Sequence, residues 1–313
     1  MQRGQNEFPV RDYDLAATLI SGQTFRWKNC DGAWEGVIHG HWVRLCQRGS
    51  TIEATTATPV TDWTWLTGYL RLADDHAAAL ASFPDDEPMH TATKHCHGLR
   101  LLRQEPWECL ASFILSSTKQ IVQIQQCVAL LCHRFGDPVP SLAADETHFA
   151  FPNAARIATA SEAELRECKM GFRAKYLLDA ARRVSSGQLD LAALPTRSLE
   201  EARAALMECH GVGRKIADCV LLFSLGFDGA FPIDVWVKRA LQQLYFPKRR
   251  VKRARLERFA ATYFGPHAGL AQQYLFHYLR TGNSRSRRGD EAEKKRKPKA
   301  SASSRRRLQP KAK

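Results

Sequence analysis

Lys215 and Asp234 are the two residues of this 313-residue chain whose positions favour covalent chemistry. Lys215 follows a glycine-flanked turn, "GVGR", and lies in the first turn of a helix predicted from "RKIADCVLLF". The positive end of a helix dipole disfavours the ammonium form of a lysine, and partial burial disfavours it further. A neutral amine is a nucleophile that can form a Schiff base with a substrate. Lys215 is therefore a candidate nucleophile.

Asp234 follows a proline in "FPID", nineteen positions after Lys215, at the predicted N-cap of the next helix. A capping carboxylate beside a buried amine can also stabilise positive charge that develops on a bound substrate. Simpler interpretations remain open for both residues. Lys215 would then be a surface lysine paired with Asp218 three residues later, and Asp234 would only cap its helix.

The turn before Lys215 is a candidate helix–hairpin–helix. Gly211, Val212 and Gly213 lie between two predicted helices, and glycine lets the backbone turn sharply and approach another surface. Amide groups of the hairpin and of the second helix's first turn have no internal partners, so they can bind one DNA phosphate. Such a contact does not depend on base sequence. A tight turn without a ligand is the alternative.

The elements that must position these residues are of two kinds. Residues 23–56 contain four short runs rich in aromatic and β-branched side chains, separated by glycine turns, which predict an antiparallel sheet. The runs are "QTFRWK" (23–28), "AWEGVI" (33–38), "HWVRLCQ" (41–47) and "STIEATT" (50–56). Short helices are expected around residues 62–72 and 74–83, and "PDDEPMHTATKH" interrupts the pattern, which favours a domain boundary near residue 92. The rest has helical apolar spacing, with Ser-x-x-Glu capping boxes at Ser161 and Ser198.

The predicted fold is therefore mainly α with an N-terminal α+β domain. An antiparallel-sheet domain, residues 1–92, precedes a helix–hairpin–helix α-domain, residues 93–283. Residues 284–313 hold 13 Lys and Arg against 3 Asp and Glu, within a net charge of +14 for the chain. With almost no apolar residues, this segment is expected to be a disordered basic tail. Such tails attract phosphates in a salt-dependent way, and a solubilising or targeting role is the alternative.

The sequence gives no sign of a membrane span, a cofactor or a disulfide framework. No apolar run approaches the roughly 20 residues of a span, and the N-terminus carries charges where a secretory signal is apolar. We expect an intracellular monomer, nuclear in a eukaryote. Nine cysteines include no CxxC pair. His90, His95, Cys96 and His97 match no common zinc spacing, so no metal is expected.

Six segments, in order, resemble those of the helix–hairpin–helix DNA glycosylases, and most closely the 8-oxoguanine DNA glycosylases that also act as AP lyases. They are "SGQTFRW" (21–27), "LLRQEPWECLASFILSS" (101–117), "GFRAKY" (171–176), "GVGRKIADC" (211–219), "PIDVW" (232–236) and "LAQQYLF" (270–276). The resemblance covers roughly residues 10–282. It implies a base-excision repair enzyme whose partner is double-stranded DNA containing oxidised guanine.

The resemblance also implies a mechanism. The damaged nucleotide is flipped out of the duplex, because its glycosidic carbon is unreachable inside the stack. Lys215 attacks C1′ of the deoxyribose, expels the base and forms a Schiff base, and β-elimination then cuts the strand. Asp234 stabilises the cationic sugar and helps to keep Lys215 reactive.

By the same resemblance, four residues form the base pocket. The Gly22 carbonyl accepts the N7–H that 8-oxoguanine has and guanine lacks, so guanine leaves that contact unpaired. Gln272 reads the Watson–Crick edge, and Cys219 and Phe276 sandwich the base. Phe276 in an ordinary core and Gly22 as a turn residue only are the alternatives.

Further residues are expected to contact DNA by resemblance, and several depart from the best-known members. They are Thr118, Lys119, Gln120, Gln123, Phe172, Arg173, Gly211, Val212, Gly213 and Trp236. Thr118-Lys119-Gln120 replaces an Asn-rich triplet, and Gln123 replaces one of two arginines that read the orphaned cytosine. Phe172 replaces a tyrosine and Trp236 a histidine. The chemistry should survive these changes, whereas half of the polar residues that read the cytosine opposite the lesion are altered.

Three alternative functions fit the sequence less well. An endonuclease III-like enzyme requires four clustered cysteines after the aspartate, and no cysteine follows Cys219. A monofunctional glycosylase for another damaged base usually lacks the lysine. A non-enzymatic DNA-binding module has no use for Lys215, Asp234 or the pocket segments. The sequence therefore favours a bifunctional glycosylase and AP lyase.

Overall fold

The computed structural model describes residues 3–142 and 146–296, with the backbone alone from residue 283 onward. Its N-terminal part is an antiparallel sheet with the strand order β1-β5-β4-β3-β2. The strands are β1 (Gly4–Pro9), β2 (Lys28–Cys30), β3 (Ala33–Ile38), β4 (His41–Arg48) and β5 (Thr51–Thr56).

Tight glycine turns explain how the central strands pair. Asp31-Gly32 and His39-Gly40 have positive φ at both residues, the conformation of two-residue hairpin turns whose twist matches that of the strands. Leu45 of β4 lies opposite Ala54 of β5, and both are buried on the face that packs against the following helices. The predicted strands at 33–38, 41–47 and 50–56 are thereby confirmed.

Two parts of the sheet differ from the prediction. The run "QTFRWK" is a strand only from Lys28, because Gln23 forms nonlocal hydrogen bonds instead. The side-chain Nε2 of Gln23 donates to Thr18 O (3.0 Å) and Arg100 O (2.8 Å), and its Oε1 accepts from Leu102 N (2.8 Å). Strand β1 was not predicted. It forms by pairing with β5, more than forty residues later in the chain.

The remainder is helical, as predicted, apart from a two-stranded ribbon. The first helices are α1 (Leu15–Ile20), α2 (Thr64–Tyr69), α3 (His76–Ala81) and α4 (Glu87–His95). The middle of the chain contains α5 (Pro106–Leu115), α6 (Ile121–Phe135), β6 (Pro138–Val139), β7 (His148–Phe149), α7 (Ala154–Ala158), α8 (Glu162–Leu165) and α9 (Ala174–Ser185). The last helices are α10 (Leu199–Met207), α11 (Arg214–Phe223), α12 (Val235–Leu244), α13 (Arg253–Tyr263) and α14 (Ala268–Arg296).

Helix α4 corrects one expectation, since the segment that was interpreted as an interruption forms a helix. Asp86 caps it by accepting a hydrogen bond from Met89 N (2.8 Å), and a proline in the first turn suits a helix start. Residue 92 lies within α4, and the domain limits 1–92 and 93–283 stay a prediction. Helix α14 enters the predicted tail as far as Arg296, while residues 297–313 lie outside the described residues.

Two buried helices position the candidate site. Every residue of α5 from Cys109 to Leu115 is buried, and so is every residue of α11 from Ile216 to Phe223. The two helices pack against each other, which brings the end of α5 beside the start of α11. Within the described chain, no helix has the length and apolarity needed to cross a lipid bilayer.

Candidate active site

Lys215 extends from the first turn of α11 toward the end of α5. Its Nζ donates a hydrogen bond to Ser116 Oγ (3.1 Å) and lies 5.2 Å from the ring centroid of Phe113. Ser116 in turn donates to Phe113 O (2.6 Å), which leaves its oxygen lone pairs for the amine. Lys215 is half-buried and forms no ion pair within the described chain. The amine therefore contacts neutral groups at the edge of the core.

The alternative pairing of Lys215 with Asp218 is wrong. Asp218 is buried and accepts a hydrogen bond from Arg203 of α10 (2.6 Å), and Arg214 lies 3.7 Å away. Burial raises the pKa of Asp218, while Arg203 acts in the opposite direction. The pair ties α10 to α11 across the hairpin, so it holds the hairpin that presents Lys215.

Cys219 lies one turn after Lys215 on α11 and is affected by both candidate catalytic residues. Burial raises the pKa of the Cys219 thiol to about 12. The positive charge of Lys215 lowers this pKa, and the negative charge of Asp234 raises it. Asp234 is the N-cap of α12, as predicted, and accepts from Val237 N (2.7 Å).

A second group of predicted residues meets where α14 crosses the turn after α1. Gly22 has a φ of +85°, and a methyl group added there would lie 3.3 Å from the Phe276 ring and 3.2 Å from both Ile121 and Arg280. Arg280 donates to Ile20 O, and its guanidinium lies 5.5 Å from the Phe276 centroid. Gly22 and Phe276 are therefore close neighbours, and Arg280 lies beside both.

Gln273 attaches α14 to the same turn, and Gln272 is its neighbour in the chain. Both side chains are buried, and Gln273 Nε2 donates to Ser21 O (3.1 Å). Gln272 Oε1 is buried without a hydrogen-bond partner within the described chain. A buried amide oxygen of this kind loses free energy unless a donor reaches it. Gln272 Oε1, one helical turn before Phe276, is thus free to accept a hydrogen bond from a ligand.

The loop between α5 and α6, residues 116–120, joins the two groups. It begins with Ser116, which contacts Lys215, and leads to Ile121, which contacts Gly22. Thr118 has a φ of +56°, an unusual value for a β-branched residue. Lys119 Nζ donates to Lys169 O (3.2 Å). The loop is therefore held in a strained conformation beside the amine.

Arg173 holds this loop in place through hydrogen bonds. It is buried, and its guanidinium donates to Ser117 O (2.7 Å), Thr118 Oγ1 (2.6 Å) and Met170 O (3.2 Å). The guanidinium also lies 4.3 Å from the ring centroid of Phe172, which is exposed. In this conformation the donors of Arg173 are engaged within the protein.

The hairpin rests on α9. A side chain at Gly211, where φ is +83°, would overlap the Tyr176 ring, and His210 N donates to Asp179 Oδ2 (2.8 Å). Gly213 is the N-cap of α11, and a methyl group added there would have no neighbour within 4 Å. The first-turn amides of a helix have no intrahelical acceptor, so this open end of α11 suits an anion.

The remaining predicted residues are one helix-capping side chain, one buried residue and one exposed residue. Gln123 Oε1 accepts from Gln120 N (3.0 Å) and so helps to cap α6. Val212 is buried under the hairpin. Trp236 is exposed on α12, with Arg239 5.4 Å from its ring centroid.

The histidines and cysteine at 90–97 contact different partners. His90 pairs with Asp85 (2.9 Å), and His95 Nε2 lies 2.8 Å from Thr281 Oγ1. The described residues contain no cluster of three or more side chains able to hold a metal ion.

Ser116 and Arg280 were not singled out from the sequence. Ser116 lies within "LSST" at the end of a predicted helix, a position that resembles many ordinary helix ends. Arg280 contacts residues about 260 positions away, which no local pattern encodes. Only the direction of α14, with one face toward Gly22, could have drawn attention to it.

Two family models match most of the chain. The N-terminal domain of 8-oxoguanine DNA glycosylase matches residues 7–110, and the HhH-GPD superfamily of base excision DNA repair proteins matches residues 111–266.

Curated relatives and solved structures agree with these models. N-glycosylase/DNA lyase OGG1 of Arabidopsis thaliana is 30% identical over 86% of this chain and 79% of its own length. The structure of MBOgg1 with a low-affinity DNA ligand has a TM-score of 0.84 and 34% identity, covering 90% of this chain and 100% of that one. The Clostridium acetobutylicum 8-oxoguanine glycosylase/lyase, bound to DNA with cytosine opposite 8-oxoguanine, has a TM-score of 0.82 and 29% identity over 89% and 98%. The chain belongs to the 8-oxoguanine DNA glycosylase family of the helix–hairpin–helix base-excision repair superfamily.

Proposed function

We propose that this protein removes 8-oxoguanine from duplex DNA and then cuts the strand at the resulting abasic site. The observation that carries the proposal is the position of Lys215. Its amine lies just after the hairpin, is held by Ser116 Oγ and lies on the same face of α11 as the buried Cys219, and no carboxylate within the described chain pairs with it. A lysine in that setting can attack the sugar of a nucleotide whose phosphates are held by the hairpin.

The attack at C1′ breaks the bond to the base and leaves the sugar joined to Lys215 Nζ. After the ring opens, the adduct is a Schiff base whose positive charge draws electrons from the neighbouring C–H bond, so that β-elimination expels the 3′ phosphate. Asp234 supports these steps because its carboxylate stabilises positive charge at the sugar. Ser116 aligns the amine before attack through the hydrogen bond at 3.1 Å.

Base selection rests on the second group of residues. Gly22 offers a backbone carbonyl at a turn held by Arg280 and Gln273. Gln272 Oε1 lacks a donor until a base enters, so a base with the correct edge restores that hydrogen bond. Phe276 and Cys219 supply apolar surfaces for the two faces of the base.

We further propose that opposite-base selection is weak. Arg173 is the retained arginine of the pair that the family uses to read cytosine, and its donors are engaged by the 116–120 loop. Gln123 caps α6 instead of offering a second guanidinium. Reading cytosine therefore requires the loop to release Arg173 first, which costs hydrogen bonds worth on the order of 1 kcal/mol each.

We also propose that the protein acts inside the cell, where its DNA substrate is found, and that it acts as a monomer.

Base excision from duplexes with 8-oxoguanine opposite each of the four bases, with borohydride added, tests this function. We expect release of 8-oxoguanine but not guanine, a trapped covalent complex in each active duplex, and less than about tenfold preference for cytosine. Release of another damaged base with no trapped complex would identify a monofunctional enzyme instead. A large cytosine preference would contradict only the proposal about Arg173 and Gln123.

A further inference from the structure

The positive charge of the folded part is concentrated in one short segment that the mechanism does not use. Residues 248–258 contain seven Lys and Arg and a single acidic residue, Glu257. The rest of residues 1–283 carries 26 Lys and Arg against 28 Asp and Glu, a net charge of −2. The attraction of the folded part for a polyanion must therefore come mostly from this segment.

These cations are exposed and largely unpaired. All seven side chains are exposed, and Arg253 is the one among them that forms an ion pair within the described chain, with Glu257 (2.8 Å). Free cations side by side repel one another, so the arrangement costs free energy until an anion neutralises it. That cost indicates a ligand with repeated negative charges.

Four of these cations, Lys248, Arg249, Arg250 and Lys252, lie on the loop between α12 and α13, and the other three lie on α13. The backbone of this loop is fixed by hydrogen bonds. Gln242 of α12 donates through Nε2 to Phe246 O (2.5 Å) and to Arg249 O, and its Oε1 accepts from Val251 N (3.1 Å). Val251 is buried beneath the loop. A loop ordered in advance loses little conformational entropy when it binds, so its cations are arranged for a partner.

The loop is continuous with the candidate active site through α12. This helix begins directly after Asp234, exposes Trp236, Lys238 and Arg239, and ends at Leu244, where the basic loop follows. Ten helical residues span about 15 Å. One DNA strand rises about 3.4 Å per nucleotide along the duplex axis, so a helix aligned with that axis would place the loop roughly four to five nucleotides from the reacting sugar.

We propose that a basic strip binds the phosphate backbone of duplex DNA on one flank of the damaged nucleotide. The strip consists of Lys238, Arg239, Lys248, Arg249, Arg250 and Lys252. The inference rests on the proposed function, since it takes the same duplex as its ligand. The strip positions the duplex without reading its sequence, because phosphate contacts carry no base information. It runs from α12 into the loop that follows, away from Asp234, so we expect it to reach one flank and not the other.

The full-length chain with Lys248, Arg249, Arg250 and Lys252 replaced by alanine tests the strip. Binding to a duplex of about 20 base pairs with a stable abasic analogue is measured across salt concentrations. Each neutralised phosphate contributes about 0.9 to the slope of log affinity against log salt, so we expect the slope to fall by about 2 to 4. Single-turnover excision at saturating DNA should not change. The matched control replaces four exposed cations on other elements, Lys94, Arg156, Arg182 and Arg197, and should lower the slope by less than about 1.

Trimming the duplex on each flank in turn locates the contact. The parent protein should lose affinity when one particular flank is cut to about two base pairs, and the four-alanine variant should be insensitive to that cut. An unchanged salt slope with normal excision, an equal loss in the control variant, or equal sensitivity to both flanks would overturn the strip while leaving the proposed function intact. Loss of excision in the parent protein would instead count against the function.

Discussion

At the scale of single residues, neutral oxygen atoms hold two cationic side chains of the candidate site in place. Lys215 is held by the hydroxyl of Ser116, and Arg280 by the carbonyl of Ile20. Neither is neutralised by a carboxylate within the described chain. In the proposed mechanism, Lys215 aims an amine at a sugar, and Arg280 holds the turn whose carbonyl selects the base. These roles are separable, because an abasic sugar needs the amine but has no base to select.

Arg280→Met tests this separation. The change removes the hydrogen bond to Ile20 O and the contact with Phe276, so excision of 8-oxoguanine should slow by about tenfold to a hundredfold. Strand cutting at a preformed abasic site should stay within about twofold. Single-turnover rates on the two duplexes measure both steps, and Arg280→Lys, which keeps the charge, should be intermediate. Equal losses on both substrates would show that Arg280 merely supports the fold.

At the scale of elements, patterns within a few residues predicted much of the fold. Capping boxes at Ser161 and Ser198, the N-cap at Asp234 and the central strands follow from such patterns, and the structure confirms them. The features that could not be predicted depend on partners far away in the chain. Strand β1 forms by pairing with β5, and residues 23–27 are not a strand because the Gln23 side chain bonds to distant backbone groups. The candidate site divides in the same way, since Lys215 and Asp234 belong to local motifs and Arg280 does not.

Alanine substitutions at the two hairpin glycines should differ in their effect on stability, so one serves as the control for the other. Gly211→Ala forces a side chain into positive φ and against the Tyr176 ring, so it should lower the free energy of unfolding by about 2 kcal/mol or more. Gly213→Ala has an ordinary φ and open space, so it should change that free energy by less than about 0.5 kcal/mol. Urea unfolding of both variants measures the difference. Similar free energies of unfolding would mean that the hairpin does not rest on Tyr176.

At the scale of the whole molecule, two buried histidines link α14 to acid sensitivity. Burial lowers the pKa of His277 and of His76 from 6.5 to about 4, and His76 Nε2 lies 3.1 Å from the Tyr274 hydroxyl. The unfolded chain therefore binds protons before the folded chain does. Stability is fully present above about pH 6.5 and is lost as the pH falls toward 4.

His277→Leu should reduce this acid sensitivity. One histidine with these pKa values removes about 2 kcal/mol of stability between about pH 7 and pH 5, and the variant should lose less by roughly that amount. Denaturant unfolding at the two pH values measures the change, with His133→Leu on the exposed face of α6 as the control. A parallel loss in parent and variant would show that His277 is protonated in the folded protein.

Charge is also a property of the whole molecule. Residues 284–313 and residues 248–258 hold nearly all of the excess positive charge, and the rest of the chain is close to neutral. We therefore expect long-range attraction to DNA to come from these two segments rather than from the residues around Lys215.

We propose that the Lys215 amine bonds to the sugar of the damaged nucleotide, and trapping with borohydride tests this bond. Reduction converts the Schiff base into a permanent amine link, so the parent protein mixed with an 8-oxoguanine duplex should give a covalent complex that survives denaturation. Lys215→Gln should still bind the duplex through the hairpin and give no complex. A covalent complex formed equally well by Lys215→Gln would contradict the account.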